Sequence, residues 1–481
     1  MERVSVMSSA RYARVVPDRS GHSAFDYEIP EHLLGKVWIG SRVRVPVRTR
    51  LLLATVVELL ETTEVEGLKP IAEILSAKAL INPVLIQLGH WVASYYCCAL
   101  HVALRAILPQ VVRNAEVKEK TLLFARLGEK PDAATLEQMT RRAPKQAGVI
   151  DFLMGLSEPV SVTDLMKECG VTRSTLEGMR ERGLIALDRQ AVQRDPYREE
   201  TFLHAPQLEM NPEQVAAYEQ IAAAVREPAT HRPVLVHGVT GSGKTELYLR
   251  AIDLCLSMGK TAIVLVPEIS LTPQTVERFK SRFAHLQEEV AVLHSHLSDG
   301  ERHDEWHKIN NGAARIVIGA RSGVFAPLER LGLIVVDEEH ENSYKQEDAP
   351  RYHARDVAVY RAHMEGCAIV LGSATPSMES YHNAVTGKYD LVRLLNRVDD
   401  RQMPRIRIVD LRMEAGRGPG ASILSETLCK AIRERLSKKE QSILFLNRRG
   451  FSTSLICSSC GHVCECPNCS IALTFHRTSN R

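Results

Sequence analysis

The densest chemistry in the sequence lies in Gly238, Val239, Thr240, Gly241, Ser242, Gly243, Lys244 and Thr245. The pattern is G-x-x-x-x-G-K-[ST], with an apolar run before it and a helical run after it through Leu249. That is the strand–loop–helix context a phosphate-binding loop needs. Glycines let backbone N–H groups close around a polyphosphate, and the helix N-terminus adds the positive end of its dipole. Lys244 is placed to reach the outer phosphates, and the Thr245 hydroxyl to ligate Mg²⁺. Farther along, Asp337 and Glu338 follow an apolar run. An aspartate leaving a buried strand can hold Mg²⁺ opposite such a loop. A neighbouring glutamate can orient or deprotonate an attacking water. The spacing therefore predicts that Lys244 and Asp337 meet across one nucleotide. His340 either links this acidic group to the segment at 373–375 or lies on the surface.

The elements that must carry these groups are legible around them. Residues 261–266, 315–318, 333–336 and 368–371 read as buried strands, alternating with helical stretches across 211–395. Such alternation builds a parallel α/β sheet, and ligands bind at the carboxyl ends of its strands. Each of these runs ends in polar residues: Pro267-Glu268, Gly319-Ala320-Arg321, Asp337-Glu338-Glu339-His340 and Gly372-Ser373-Ala374-Thr375.

The chain as a whole has 481 residues, 44% hydrophobic and 25% charged, with a net charge of +3. That is an ordinary globular composition, so affinity for nucleic acid must come from local patches. No apolar run is long enough to span a membrane, and the N-terminus does not read as a signal peptide. The expected compartment is the cytosol. Ahead of the phosphate loop, residues 12–16, 24–27, 37–39, 42–46 and 51–60 read as strands of a small β-domain. Arg42 and Arg44 share one face of a strand, where they could meet phosphates or form a charged edge. Residues 70–107 read as helical and carry Trp91, Tyr95 and Tyr96. Residues 118–131 read as a linker. Helices to about 156, over 162–168 and over 173–182, with a turn at Gly170, suggest a winged helix-turn-helix.

Five of the eleven cysteines fall between Cys457 and Cys469. Cys457-x-x-Cys460 and Cys466-x-x-Cys469 are paired knuckles suited to tetrahedral zinc. Cys464 stands outside that spacing.

Taken together, residues 238–245, 337–340 and 372–376 resemble superfamily 2 helicases. The stretches 238–246, 266–274, 293–296, 343–346, 351–356 and 444–450 are closest to the PriA family of replication-restart helicases. The resemblance implies a multidomain α/β chain: a RecA-like parallel-sheet helicase lobe preceded by a small β-rich domain and a winged helix. An incomplete second RecA-like lobe with a zinc-binding insertion would follow. The corresponding divisions are 1–112, 113–200, 201–395 and 396–481. It implies ATP, Mg²⁺ and Zn²⁺ as cofactors, with Gln214 reading adenine. Asp26, in a motif at 25–30, would recognise a DNA 3′ end. Tyr352 and Arg355 would belong to an aromatic-rich loop, 344–355, that links DNA contact to ATP hydrolysis; here Ala349-Pro350 replaces its usual glycine and aromatic residue. Four cysteine pairs hold two zinc ions in that family, the first pair closing with the fourth and the second with the third. Here Cys457, Cys460, Cys466 and Cys469 supply two pairs, which would form two half-sites or one complete site. The implied function is 3′-to-5′ unwinding at stalled or branched forks, with primosome proteins and single-stranded-DNA-binding protein as partners, near the nucleoid. The match corresponds to about the first two-thirds of a family member, so slow hydrolysis is expected of these 481 residues. The alternatives are a fork-binding scaffold that keeps ATP without unwinding, and a superfamily 2 motor acting on RNA.

Overall fold

The computed structural model describes residues 10–19, 24–76, 78–113, 121–128, 133–156, 158–191, 194, 204–268, 273–398, 405–410, 424–445, 460 and 462–467. The chain divides into two units, Met1–Asp400 and Arg401–Arg481.

The first unit begins with β1 (Tyr12–Pro17), β2 (Phe25–Glu28), β3 (Arg42–Val47), β4 (Arg50–Leu60) and β5 (Glu73–Ile74), followed by α1 (Pro83–Tyr95), α2 (Leu100–Ile107) and α3 (Gln110–Arg113). The five strands form one sheet in the order β2-β1-β4-β3-β5. Alternate residues such as Ala13, Val15, Val43, Val45, Ala54 and Val56 fill its core. The strand expected at 37–39 is absent, because glycines at 35 and 40 both turn the chain through positive φ. The helix expected from residue 70 starts only at Pro83. Asn82 caps it, its side chain accepting from the Leu85 N–H, and proline suits the first helical position because its missing N–H would be unpaired there anyway.

Next come β6 (Thr121–Leu127), α4 (Ala133–Arg142), α5 (Pro144–Met154), β7 (Val160–Ser161), α6 (Val162–Cys169), α7 (Arg173–Glu181) and β8 (Ile185–Ala191). The linker expected at 118–131 is half strand: β6 pairs with β8 along its whole length. Gly170, at φ +60°, closes α6, and Ser161 caps its start by accepting from Asp164 N–H.

The rest of this unit is α8 (Pro212–Arg226), β9 (Val234–Gly238), α9 (Lys244–Ser257), β10 (Thr261–Leu265), α10 (Pro273–Arg282), β11 (Val290–Leu293), α11 (Asp299–Asn310), β12 (Ile316–Gly319), β13 (Leu331–Val336), α12 (Ala354–Glu365), β14 (Ala368–Ser373), α13 (Met378–Val385) and β15 (Asp390–Leu394). The strands form a seven-stranded sheet, β11-β12-β10-β13-β14-β9-β15, parallel at every pairing. Strands buried on both faces read as continuous apolar runs. Ala262, Val264, Leu333, Val335 and Val370 face one core. Ile263, Leu265, Ile334, Val336 and Leu371 face another, which continues into Leu80, Leu85, Leu88 and Leu104 of the N-terminal part. Polar stitches cross the same seam: Trp306 Nε1 donates to the Leu80 carbonyl at 3.2 Å, and Asn310 donates to that of Ala79 at 2.9 Å.

Of the second unit, the described residues show α14 (Glu426–Ser437), capped by Ser425. The strands expected at 406–410 and 443–446 do not appear among its described residues. Ile406, Ile408 and Ile443 are there almost fully exposed, and a strand without a paired neighbour cannot satisfy its backbone groups.

Candidate active site

The loop at the end of β9 is built for close approach. Gly241 and Gly243 take φ +81° and +84°, a region that costs any other residue strain. A Cβ on Gly243 would fall 2.2 Å from Gln214 Nε2, and one on Gly238 would fall 2.6 Å from Ser242 Oγ. Ser242 is buried, and its hydroxyl has no hydrogen-bond partner. Lys244 Nζ donates to the Gly238 carbonyl at 2.8 Å and lies 4.0 Å from Glu338. The segment leaving β15 braces this loop: Arg397 Nε donates to the Thr240 carbonyl, and Val398 N–H to that of Gly241. Thr245 follows Lys244, the first residue of α9.

Gln214 links the loop to α8. Its Nε2 donates to the Ser242 carbonyl at 2.9 Å, while its Oε1 accepts from Asn211 N–H in a capping box. Reading adenine would require this nearly buried amide to exchange one of those bonds.

The acidic group leaves β13, two strands away from β9 with β14 between. Tyr248, one turn beyond Lys244, donates its hydroxyl to Asp337 Oδ1 at 3.2 Å. The structure thus brings Lys244 and Asp337 to the same end of the sheet. Gly372 on β14 makes room for this arrangement, since a Cβ there would fall 1.6 Å from the Tyr248 hydroxyl. Glu338 takes φ +44°, a sparsely populated conformation for a residue with a side chain and one that concentrates at functional sites. His340 Nδ1 is 2.7 Å from Ser373 Oγ, which accepts from Thr375 N–H. The fully buried Glu339 meets Arg355 Nη1, Ser377 N–H and the Ser377 and Ser380 hydroxyls at 2.7–3.1 Å. Sequence reasoning assigned no role to Glu339, Tyr248 or Gly372. The strings around Glu339 and Gly372 were informative, but nothing in them shows which side chain faces inward.

Burial and the neighbouring Glu338 charge push Asp337 up to about 6, against the opposing pull of Lys244. Its stability contribution is therefore complete below the ordinary aspartate range and lost as pH rises through about 6. Asp337→Asn removes this penalty. In nucleotide-free buffer with chelator, the variant is expected to be more stable than the parent by about 2–3 kcal/mol at pH 7.5. The advantage should vanish near pH 4 in urea titrations at both pH values.

The groups fit a nucleoside triphosphate with Mg²⁺. The glycine cradle, the orphaned Ser242 hydroxyl and Lys244 would receive the phosphates, and Thr245 with Asp337 would supply the hard oxygen donors Mg²⁺ takes. The metal would neutralise phosphate charge. Glu338 is the nearest carboxylate to Lys244 and could order a water.

The nucleic-acid candidates are placed unevenly. Arg42 is not on a surface. It is fully buried, donating to Asp18 and Thr55 and to the Arg113 carbonyl. Arg44 is half-exposed and pairs with Glu73. Asp26 is held by Arg14 at 2.8 Å and by the Thr63 hydroxyl, and the Arg14 hydrogen bond keeps its carboxyl below the usual range. Tyr352 is buried beside Phe325, and Arg355 is turned inward onto Glu339 and Asp356. Trp91 stacks on Tyr360 at 3.9 Å. Cys457 and Cys469 lie outside the described residues. Cys460, Cys464 and Cys466 form no disulfide, and no cluster of metal donors occurs among the described residues.

Comparison with known proteins gives two family matches: a 3′DNA-binding domain (3′BD) of PriA over residues 14–109, and a DEAD/DEAH box helicase over residues 211–384. The replication restart protein PriA of Bacillus subtilis is 38% identical, across 98% of this chain and 66% of its own length. That of Chlamydia pneumoniae is 35% identical, across 98% and 62%. That of Haemophilus influenzae is 36% identical, across 95% and 61%. The chain thus spans about two thirds or less of the length of these curated relatives.

Proposed function

The chain belongs to the PriA family of replication restart proteins, and on that premise we propose that it is an ATP-dependent 3′-to-5′ DNA helicase. It would act on stalled or branched forks and seed primosome assembly. The single observation that carries the reading is the meeting of the Lys244 loop with Asp337 and Glu338 at the carboxyl end of one parallel sheet. Residues 1–112 are proposed to receive the DNA 3′ end, 113–200 to form the winged helix, 201–395 to bind ATP, and 396–481 to begin the second lobe. Asp26 and Arg44 remain the proposed DNA-facing residues, and the buried Tyr352 and Arg355 are proposed to act on DNA only through their loop. Arg42 serves as a buried support for that domain. Cys457, Cys460, Cys466 and Cys469 are proposed zinc ligands on the strength of their two knuckles. Primosome proteins and single-stranded-DNA-binding protein are the proposed partners. No helix among the described residues is long and apolar enough to cross a membrane, and action near the nucleoid in the cytoplasm fits a replication role.

In superfamily 2 motors, arginines of a second lobe stabilise transition-state charge and can raise the rate ~10³–10⁵-fold. Lys244, Asp337 and Glu338 all come from one lobe. The 481-residue polypeptide is therefore expected to bind ATP and forked DNA but to turn over below about 1 s⁻¹. Fork binding is expected to survive competition from an RNA hairpin, measured by fluorescence anisotropy. Preference for the hairpin would sink the DNA reading.

A further inference from the structure

The turn between β9 and α9 closes on itself once, Ser242 N–H donating to the Val239 carbonyl at 3.0 Å. The three carbonyls that follow Val239 are each met by a donor from outside the loop. Arg397 Nε takes that of Thr240 at 2.9 Å, Val398 N–H takes that of Gly241 at 3.0 Å, and Gln214 Nε2 takes that of Ser242 at 2.9 Å. In a planar trans peptide the carbonyl and the N–H that follows it point opposite ways. A carbonyl tied outward therefore turns the next N–H inward. Arg397 fixes the peptide that carries the Gly241 N–H, and Gln214 fixes the one that carries the Gly243 N–H. Neither N–H has a partner among the described residues. Unpartnered main-chain donors leading into a helix N-terminus are what an anion binds.

Arg397 can hold that position because the segment bearing it is itself fastened. β15 is the edge strand beside β9, and Val239 N–H donates to the Leu394 carbonyl at its end, at 3.1 Å. The Glu213 carboxylate then accepts from the Leu395 and Asn396 N–H groups at 2.8 and 3.3 Å. Glu213 lies in the first turn of α8, next to Gln214, where a negative charge suits the helix dipole. α8 thus steadies the loop by two routes. One is direct, through Gln214. The other runs from Glu213 through residues 395–398 to Arg397.

We infer that Arg397 is a positioning residue of the nucleotide site: anchored through Glu213, it holds the Thr240 carbonyl and so aims the Gly241 N–H at the polyphosphate, without touching the nucleotide itself. This rests on the reading of the loop as a phosphate cradle. Donors fixed in advance bind charge without the ordering that a loose loop must undergo. Residues 395–398 therefore belong to the phosphate site although they lie far along the chain from the glycine-rich motif.

The test needs no turnover. Isothermal titration of the full 481-residue chain measures the Kd of two probes with Mg²⁺, ADP and inorganic tripolyphosphate, and anisotropy measures forked DNA. Tripolyphosphate has neither base nor ribose, so it reports on the cradle alone. In Arg397→Ala both probes are expected to bind about tenfold more weakly, the value of one charge-assisted hydrogen bond, while forked DNA stays within about twofold of the parent. Arg397→Lys restores a charged donor to a single acceptor and is expected to return both probes to within about threefold of the parent. A general loss of structure would weaken forked DNA as well and would not be rescued by lysine. Should Arg397→Ala fail to fold, Glu213→Gln carries the test, since it loosens the strap and leaves Arg397 in place; both probes are then expected to weaken about threefold. If ADP weakens while tripolyphosphate does not, Arg397 touches base or ribose, and the inference is overturned with the cradle still standing. Unchanged affinity for both probes in the variants overturns it too. A parent chain that binds neither probe removes the cradle reading, and the inference with it.

Discussion

Lys244→Ala is expected to weaken ATP·Mg²⁺ binding at least about 100-fold, roughly 2.7 kcal/mol, while forked DNA binds as before. Charge-assisted bonds to phosphate are among the strongest a side chain makes. The ammonium is nearly buried, so water cannot replace it cheaply. In the free chain it is already committed to the Gly238 carbonyl and lies 4.0 Å from Glu338. The variant therefore loses one bond within the loop, a cost of about 1 kcal/mol. That is small beside the loss of nucleotide, so the fold survives. Isothermal titration with the ATP analogue and anisotropy with fork DNA give the two readings. If ATP affinity hardly changes, the loop is not a phosphate cradle. If nucleotide is lost but restart activity in a cell-free assay persists, the scaffold reading replaces the motor.

Trp306→Ala is expected to destabilise the first unit by about 3–5 kcal/mol, the range for emptying a buried aromatic site. Trp306 is 1% exposed, lies on α11 among Ile309, Leu80 and Ala314, and donates its indole N–H to the Leu80 carbonyl. Truncation leaves both a cavity and an unpaired carbonyl. Trp306→Phe fills most of the space but not the bond, and should cost about 1–3 kcal/mol. Urea unfolding followed by circular dichroism separates the two. A loss below about 1 kcal/mol for the alanine variant would mean that the seam bears little of the stability.

The helicase half of the fold was legible because its strands are buried on both faces. Residues 262–265, 333–336 and 368–371 are unbroken apolar runs, and an apolar run followed by an acidic or glycine-rich group has few other uses. The strands missed, β11 and β15, are the two edge strands of the sheet, and in β15 the charges of Asp390 and Arg393 break the apolar run. The phosphate loop was readable for a different reason: its glycines are required by positive φ and close approach, so the residue types report the geometry. Arg42 was misplaced because alternation assigns a face but not the depth of that face. Here the face is covered by Asp18 and by the Arg113 carbonyl from far along the chain. Glu339 was overlooked because a carboxylate flanked by three other polar residues looks solvated. Only the arrival of Ser377, Ser380 and Arg355 from distant elements shows that it is not.

The chain has three tryptophans, and all of them stand where the N-terminal part meets the parallel sheet. Trp38 lines a cleft with Asn310 and Pro327, Trp91 lies flat on Tyr360, and Trp306 is bonded to Leu80. None of them borders the phosphate loop. Ultraviolet emission from this protein is therefore an optical gauge of the junction: a spectral shift on adding a ligand reports how the junction responds, with no dye attached and no direct quenching by the nucleotide to subtract.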